Sequence, residues 1–369
     1  MSEAIEIEQI RELARQFAES ELRPHVEAWD AARALPPAAL DQLAELGFYG
    51  MLIPEEFGGM GFDLPTYLSA LEELSWGEPV IALLLSIHNA FGSLILAHGS
   101  AAQKARWLEG LAAGRERACF ALSEADAGSD AGAIATTATR DGDGWRIAGE
   151  KKWVTYGNAA TLALVAARTA EGGARGVSLF LVPLPSDGIE VVHRETTMGL
   201  RAADVVTLRL DVRLDGDTLL GEEGKGFAYA MEGLDRGRLG IAAQAIGIAQ
   251  AALDHALAYA AERRQFDAPI REFEAIQFKL ADMVTRTEAA RALLHVAARE
   301  PSTQRSSMAK LFASETAMWV TTQAVQIFGG YGYMRDYPVE KLMRDAKATE
   351  IYEGTNEIQR IVIARALYA

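Results

Sequence analysis

The hydrophobic period of this chain changes twice, and that change limits its fold more than any single motif. From Ile7 onward, Ile10, Leu13, Ala14, Phe17 and Leu22 recur at helical spacing, and Pro36-Pro37 opens another helix through Leu46. After Gly114 the helical period fades. Short β-prone runs follow between glycines: Trp145–Ala148, Trp153–Tyr156, Val177–Val182, Ile189–Val192 and Val205–Leu210. Asp141-Gly142-Asp143-Gly144 is a hairpin signal. From Gly226 the helical period returns, with long helices expected over Leu239–Glu262, Phe273–Arg299 and Ser307–Ile327, the last ended by Gly329-Gly330. The pattern predicts an α+β multidomain chain: a helical domain over 1–116, an antiparallel β domain over 117–222 and an antiparallel helical bundle over 223–369.

Composition narrows the function classes. A formal charge of −15 argues against nucleic acid, which needs clustered cations. The single cysteine, Cys119, has no partner for an internal disulfide, so a reducing cytoplasm is the expected compartment. Met1 to Ile10 has no basic leader region, so no secretory signal is expected. Val80 to Ala97 is the most apolar run, but Ser86, His88, Asn89, Gly92 and Ser93 interrupt it. A buried helix is expected there rather than a membrane span. His88, His193 and His255 have no metal-ligand spacing, and no Gly-x-Ser-x-Gly elbow is present.

Six stretches can carry chemistry. In Ile351-Tyr352-Glu353-Gly354-Thr355-Asn356-Glu357, a carboxylate precedes a glycine that permits a tight turn. Thr355 or Asn356 can cap the helix that follows. Alone, this stretch fits an ordinary solvated glutamate in a cap better than a base. Phe120 to Asp130 couples a strand-like start to a small-residue turn, where Ser123, Ser129 and the N–H groups near Gly128 can face a flat ring or phosphate oxygens. Alone, this run fits a surface turn better. In Lys152-Trp153-Val154-Thr155, strand alternation puts Trp153 and Thr155 on one side, either over a ring system or around one buried Trp. Asp235-Arg236-Gly237-Arg238 at the start of the first long helix offers Arg238 to phosphates, or is solvated charge in a first turn. Arg263-Arg264-Gln265-Phe266 is a pyrophosphate partner or a basic helix end. Ile53 to Gly61 lacks the ending of a phosphate loop and reads as a turn between helices.

Tyr352-Glu353-Gly354-Thr355, with Gln326-Ile327-Phe328-Gly329-Gly330 and Pro338 to Lys347 upstream, resembles the C-terminal signature of the acyl-CoA dehydrogenases. Pro54-Glu55-Glu56-Phe57-Gly58-Gly59, the Phe120 to Asp130 run and Trp153-Val154-Thr155 are similar to further segments of that family, so the resemblance runs from about Glu55 to Arg365. It implies a helical domain, a β domain and a four-helix-bundle domain. It also implies FAD, an acyl-CoA substrate, an electron-transfer flavoprotein as electron acceptor, and a homotetramer or homodimer. By resemblance, Glu353 is the base for the α-proton. Phe120, Leu122, Ser123, Gly128, Ser129, Trp153 and Thr155 meet the flavin. Arg263, Gln265, Phe266, Gln326, Gly329 and Gly330 reach the FAD of a neighbouring subunit. Thr355 and Glu357 are counted with the FAD contacts. Ser129, Asp235, Arg238 and Gly354 meet the substrate.

Four features stand out against the family pattern. Ser123-Glu124-Ala125-Asp126 replaces the usual Thr-Glu-Pro-Gly, which is expected to loosen that turn and to put a charge near the substrate entrance. Asp267 replaces a usual Gly and Glu274 a usual Gln that touches FAD, an acid unfavourable near a pyrophosphate. Gly237 occupies the position where isovaleryl-CoA-type members carry the base, which leaves Glu353 as the candidate. The alternatives are a flavin oxidase or monooxygenase on the same fold, and a flavin-free acyl-CoA-binding protein. The acyl pocket floor is expected around Leu84 to Asn89 and Phe91.

Overall fold

A computed structural model describes residues 3–368. The N-terminal third is helical: α1 (Glu3–Phe17), α2 (Val26–Ala32), α3 (Pro37–Glu45), α4 (Leu64–Gly77), α5 (Pro79–His98) and α6 (Ala101–Ala112). Local chemistry sets the ends. The Asp63 carboxylate accepts from the Thr66 N–H at 2.9 Å to start α4, and Ser100 with Gln103 forms a reciprocal capping box at α6. The apolar α5 is long enough to cross a membrane by length and composition. Here most of it is buried, packed against α4, α6 and the first strand.

The sheet comprises β1 (Ala118–Ala121), β2 (Thr137–Asp141), β3 (Gly144–Val154), β4 (Leu162–Arg168), β5 (Val177–Pro183), β6 (Ile189–Arg194), β7 (Val206–Leu214) and β8 (Leu219–Leu220). Its order is β6-β7-β3-β2-β4-β5-β8, with β1 also on β4. Pairing is antiparallel for β2–β3, β3–β7, β6–β7, β4–β5 and β5–β8, as expected, and parallel where β1 and β2 meet one edge of β4. The Asp141–Gly144 turn closes the β2–β3 hairpin, with Asp141 paired to Gly144. β4 has no counterpart among the expected strands. Its Leu-Ala-Leu-Val-Ala-Ala run is buried on both faces and so lacks the alternation that marks a half-exposed strand.

The C-terminal region holds α7 (Gly226–Glu262), a small hairpin of β9 (Arg264–Gln265) and β10 (Ala268–Pro269), then α8 (Glu274–Arg299), α9 (Thr303–Phe328), α10 (Pro338–Thr349) and α11 (Asn356–Ala366). The long helices pack on one another, with α10 as the fourth member and α11 laid against α9. α7 begins well before the expected Leu239, so Asp235 to Arg238 lies inside the helix and not in its first turn. Glycines at 233, 237 and 240 lower intrinsic helix propensity and hid that start. Tertiary contact decides instead: a Cβ at Gly240 would meet the Ser86 Oγ at 2.0 Å.

A buried charged triad ties the layers together. Lys341 of α10 donates to Glu78, which caps α5, at 3.0 and 3.1 Å, and to Asp345 at 2.7 Å. The other Asp345 oxygen accepts the Leu200 N–H at 2.6 Å, fixing a loop of the β region against α10. Replacing Lys341 by Met leaves two buried carboxylates facing each other without a cation. We expect a loss of roughly 3–5 kcal/mol in urea unfolding; a loss under about 1 kcal/mol contradicts the role given to the triad.

Candidate active site

Glu353 sits on the short connection between α10 and α11, with φ 56. A non-glycine residue in the left-handed region costs energy and persists only where its surroundings enforce it. Here the enforcement is on the carbonyl side. The Glu353 C=O accepts from Gln359 Nε2 at 3.1 Å and from Arg238 Nε at 3.4 Å. The Gly354 C=O accepts from Gln359 Nε2 at 2.8 Å and from Lys310 Nζ at 2.9 Å. Gly354 follows at φ 91, a conformation that suits glycine. Thr355, not Asn356, caps α11, accepting the Ile358 N–H at 3.4 Å; Asn356 turns inward to Lys310 and Ser314.

The carboxylate enters a cavity of about 490 Å³ walled by all three regions of the chain. Its Oε2 is buried and has no hydrogen-bond partner among the described residues. Burial pushes its pKa up from 4.5 to about 7, with Arg238 and Lys310 pulling in the opposite direction. Gly237 of α7 makes the room: a Cβ there would lie 2.6 Å from Glu353 Oε2.

Phe120, Leu122, Ser123, Gly128, Ser129, Trp153, Thr155, Arg238 and Gly354 line the same cavity, as the sequence leads one to expect. The route by which Trp153 gets there differs from simple alternation. The β3–β7 register shifts between Lys151 and Val154, Trp153 takes φ 57, and Thr155 lies beyond the strand end. A bulge re-aims the indole, leaving it 54% exposed. The Ser123–Ala127 turn is not loosened. Glu124 and Ala127 exchange backbone hydrogen bonds at 3.1 and 3.2 Å, and the Glu124 carboxylate is held by Lys151 Nζ at 2.7 Å and by the Ala135 and Thr136 N–H groups. Asp126 is exposed and outside the cavity lining. Of the expected floor only Ile87 lines the cavity, joined by Leu83 one turn earlier; Leu84 and Phe91 are buried in the core.

The remaining expected residues lie elsewhere. Arg263, Gln265, Gly329 and Gly330 line a separate cavity of about 540 Å³ at the far end of α7 and α9, where the Arg263 guanidinium lies 5.4 Å from the Tyr331 ring centre. Phe266 is 93% exposed beside it, and Gln326 and Glu274 are exposed on α9 and α8. Asp235 pairs with Arg238 and Thr303 and does not line the Glu353 cavity. Thr355 acts as the cap, and Glu357 is exposed in the first turn of α11.

Residues 5–115, 119–212 and 224–368 match the N-terminal, middle and C-terminal domains of acyl-CoA dehydrogenases. The chain belongs to the acyl-CoA dehydrogenase family. It is 46% identical to the mitochondrial short-chain specific acyl-CoA dehydrogenase of Bos taurus, over 96% of this chain and 88% of the relative. Butyryl-CoA dehydrogenase from Megasphaera elsdenii superposes with TM-score 0.97 at 40% identity, covering 100% of this chain and 99% of the other. A chain solved in work on the electron transferring flavoprotein of Acidaminococcus fermentans also gives 0.97, at 43% identity, covering 100% and 98%. The protein is accordingly an FAD-dependent oxidoreductase. Its residues fit the cofactor: a half-exposed indole at the cavity mouth, hydroxyls of Ser123, Ser129 and Thr155, and open space around Gly128, where a Cβ would meet nothing within 4 Å. The closed Glu124 turn removes one of the two supports for a flavin-free protein, and membership of the family argues against it as a whole.

Sequence reasoning missed the groups that shape Glu353 from behind. Lys310 and Gln359 are fully buried, and the Tyr352 hydroxyl donates to Gln244 Oε1 at 2.5 Å. The signal was present for Lys310: it falls on the face of α9 that otherwise shows Ser306, Ala309, Ala313 and Ala317 to the core.

Keeping Glu353 buried costs stability in a pH-dependent way. Below about pH 4.5 the carboxyl is protonated in both folded and unfolded chains. As pH rises towards 7 the unfolded chain releases a proton that the folded chain retains, so stability falls and then levels off above the folded pKa. Glu353→Gln is therefore expected to be neutral near pH 4.5 and stabilising by roughly 1–3 kcal/mol near pH 8, read from denaturant midpoints at the two pH values.

Proposed function

We propose that the chain dehydrogenates a short straight-chain acyl-CoA thioester to the trans-2-enoyl-CoA, with Glu353 as the base for the α-proton. The observation that carries this is the Glu353 side chain lining the cavity with a buried Oε2 that has no hydrogen-bond partner among the described residues, on a carboxyl with a pKa of about 7. A base of that strength is partly ionised at neutral pH and strong enough to accept a proton from carbon once the developing negative charge is stabilised. No described residue accepts from the Glu353 N–H, which leaves it available to a thioester oxygen as charge builds there. Arg238, buried on α7 and anchored by Asp235, adds a fixed positive charge on the same side. Bound FAD supplies the acceptor for the β-hydrogen, which leaves as hydride. The apolar walls from Leu83, Ile87, Met231 and Leu234 suit an acyl chain, whose entry strips remaining water from the base.

The short-chain assignment is supported by the names of the relatives from Bos taurus and Megasphaera elsdenii, and an electron-transfer flavoprotein as acceptor by the Acidaminococcus fermentans work. Assembly into a tetramer or dimer is supported by Phe278, Val284 and Val296, exposed along α8, and by the distance of the Arg263 half-site from Glu353's cavity. A reducing cytoplasm fits the lone buried thiol of Cys119.

Anaerobic titration with acyl-CoAs tests the reading. Butyryl-CoA is expected to bleach the flavin band faster than octanoyl-CoA. Glu353→Gln should keep its yellow cofactor and bleach about 10²–10⁴ times more slowly. Bleaching of that variant at the normal rate rules out Glu353 as the base, and faster bleaching by octanoyl-CoA rules out the short-chain assignment.

A further inference from the structure

Lys310 is a buried cation to which the proposed chemistry assigns no task. It projects from α9 with no exposed surface, and its ammonium donates to the Gly354 C=O at 2.9 Å and to Asn356 Oδ1 at 3.0 Å. Ser314 Oγ donates to the same Asn356 oxygen at 3.1 Å, so the amide is held from two turns of α9. A lone ammonium in such a place is costly unless charged or polar partners compensate it.

Those partners all belong to the Glu353 loop. Gln359 shares the Gly354 carbonyl with Lys310 and also reaches the Glu353 carbonyl, so two consecutive peptide planes are fixed by donors on α9 and α11. That is the restraint a glutamate at φ 56 requires. Without it the backbone is free to relax to negative φ, and the carboxylate swings with it.

We propose that Lys310 is a positioning residue for Glu353: its ammonium holds the Glu353-Gly354 main chain in the left-handed arrangement and sets a positive charge behind the carboxylate. The inference rests on Glu353 being the base. It makes two separable demands, one on geometry and one on charge. Around Glu353, α7 contributes Arg238 and α9 Lys310, both favouring the ionised carboxylate. α4 contributes Tyr67, and Tyr352 is adjacent; burial raises both phenols, so they stay neutral. Glu350 and Glu357 act on Lys310 from either side of the loop. Burial lowers the pKa of Lys310 to about 7, with Glu353 the largest opposing influence, so the lysine carries much of its charge in the range where the base works. Removing that charge leaves Arg238 as the cation next to Glu353, and the base then ionises at higher pH. Because the ionised form removes the proton, the rate–pH profile moves upward.

The test is anaerobic flavin reduction by butyryl-CoA across pH, in wild type, Lys310→Met, Lys310→Arg and Glu353→Gln, each as the FAD-loaded protein. Lys310→Met is expected to lower the limiting rate at least about tenfold at pH 7 and to move the profile up by about one pH unit, while the half-saturating substrate concentration changes less than about threefold. Lys310→Arg keeps the charge and so keeps the profile in place, at a reduced rate. An infrared titration of the protonated-carboxyl band lost in Glu353→Gln should show the same upward shift in Lys310→Met. A Lys310→Met protein with the wild-type rate and profile overturns the proposal, as does an equal shift in Lys310→Arg. If Lys310→Met does not fold, Asn356→Ala, which removes one of the two acceptors holding the ammonium, is read instead: the rate should fall, and an unchanged rate overturns the proposal. Should Glu353→Gln reduce its flavin normally, the base assignment fails; a silent Glu353→Gln beside an unaltered Lys310→Met condemns the lysine alone.

Discussion

A carboxylate oxygen with no hydrogen-bond partner, kept inside a folded chain, is the constraint around which this structure is arranged. Burying such a group is unfavourable, and the usual remedy, a direct pair with a cation, would disable it as a base. The chain takes a different route. Its cations reach the carbonyls behind Glu353: Arg238 touches the Glu353 C=O and Lys310 the Gly354 C=O. The main chain is held by charged donors, and Oε2 has no partner among the described residues.

The long helices connect that site to the second cavity. α7 passes beneath the Glu353 loop at Gly237 and Arg238, then runs on to Tyr259 and the Arg263 half-site at its far end. α9 runs beside it from Thr303, through Lys310, to the Gly329-Gly330 turn. One pair of packed helices therefore carries parts of two cavities, and the packing that stabilises the bundle also sets the geometry of both. The β region is fastened to this frame through Leu200 and Asp345, so the cavity wall it provides is indexed to the helix just before Glu353.

Much of this could be read from the residues, and the failures have physical causes. The α, β, α order followed from hydrophobic period, and most strands followed from alternation. β4 escaped because burial on both faces erases alternation, and the first turns of α7 escaped because glycines needed for close packing look like helix breakers. Glu353 stood out through its neighbours in sequence. The groups that hold its loop did not, because Lys310, Gln359 and Arg238 come from three helices and meet only in space. Trp153 was placed on the right surface for an incomplete reason: a register shift, invisible to a period-two count, turns the ring outward. The acyl floor expected around Leu84 to Asn89 and Phe91 reduces to Ile87, joined by Leu83, since only one turn of α5 faces the cavity.

The absence of a side chain at Gly237 has an evolutionary reading. A Cβ there would occupy space already held by Glu353 Oε2, so in this chain positions 237 and 353 compete for one volume. A carboxylate cannot be added on the helix while the one on the loop remains seated. Moving the proposed base from loop to helix would therefore require the loop carboxylate to leave the volume it fills. The present placement of the carboxylate is tied to the space that Gly237 leaves for it.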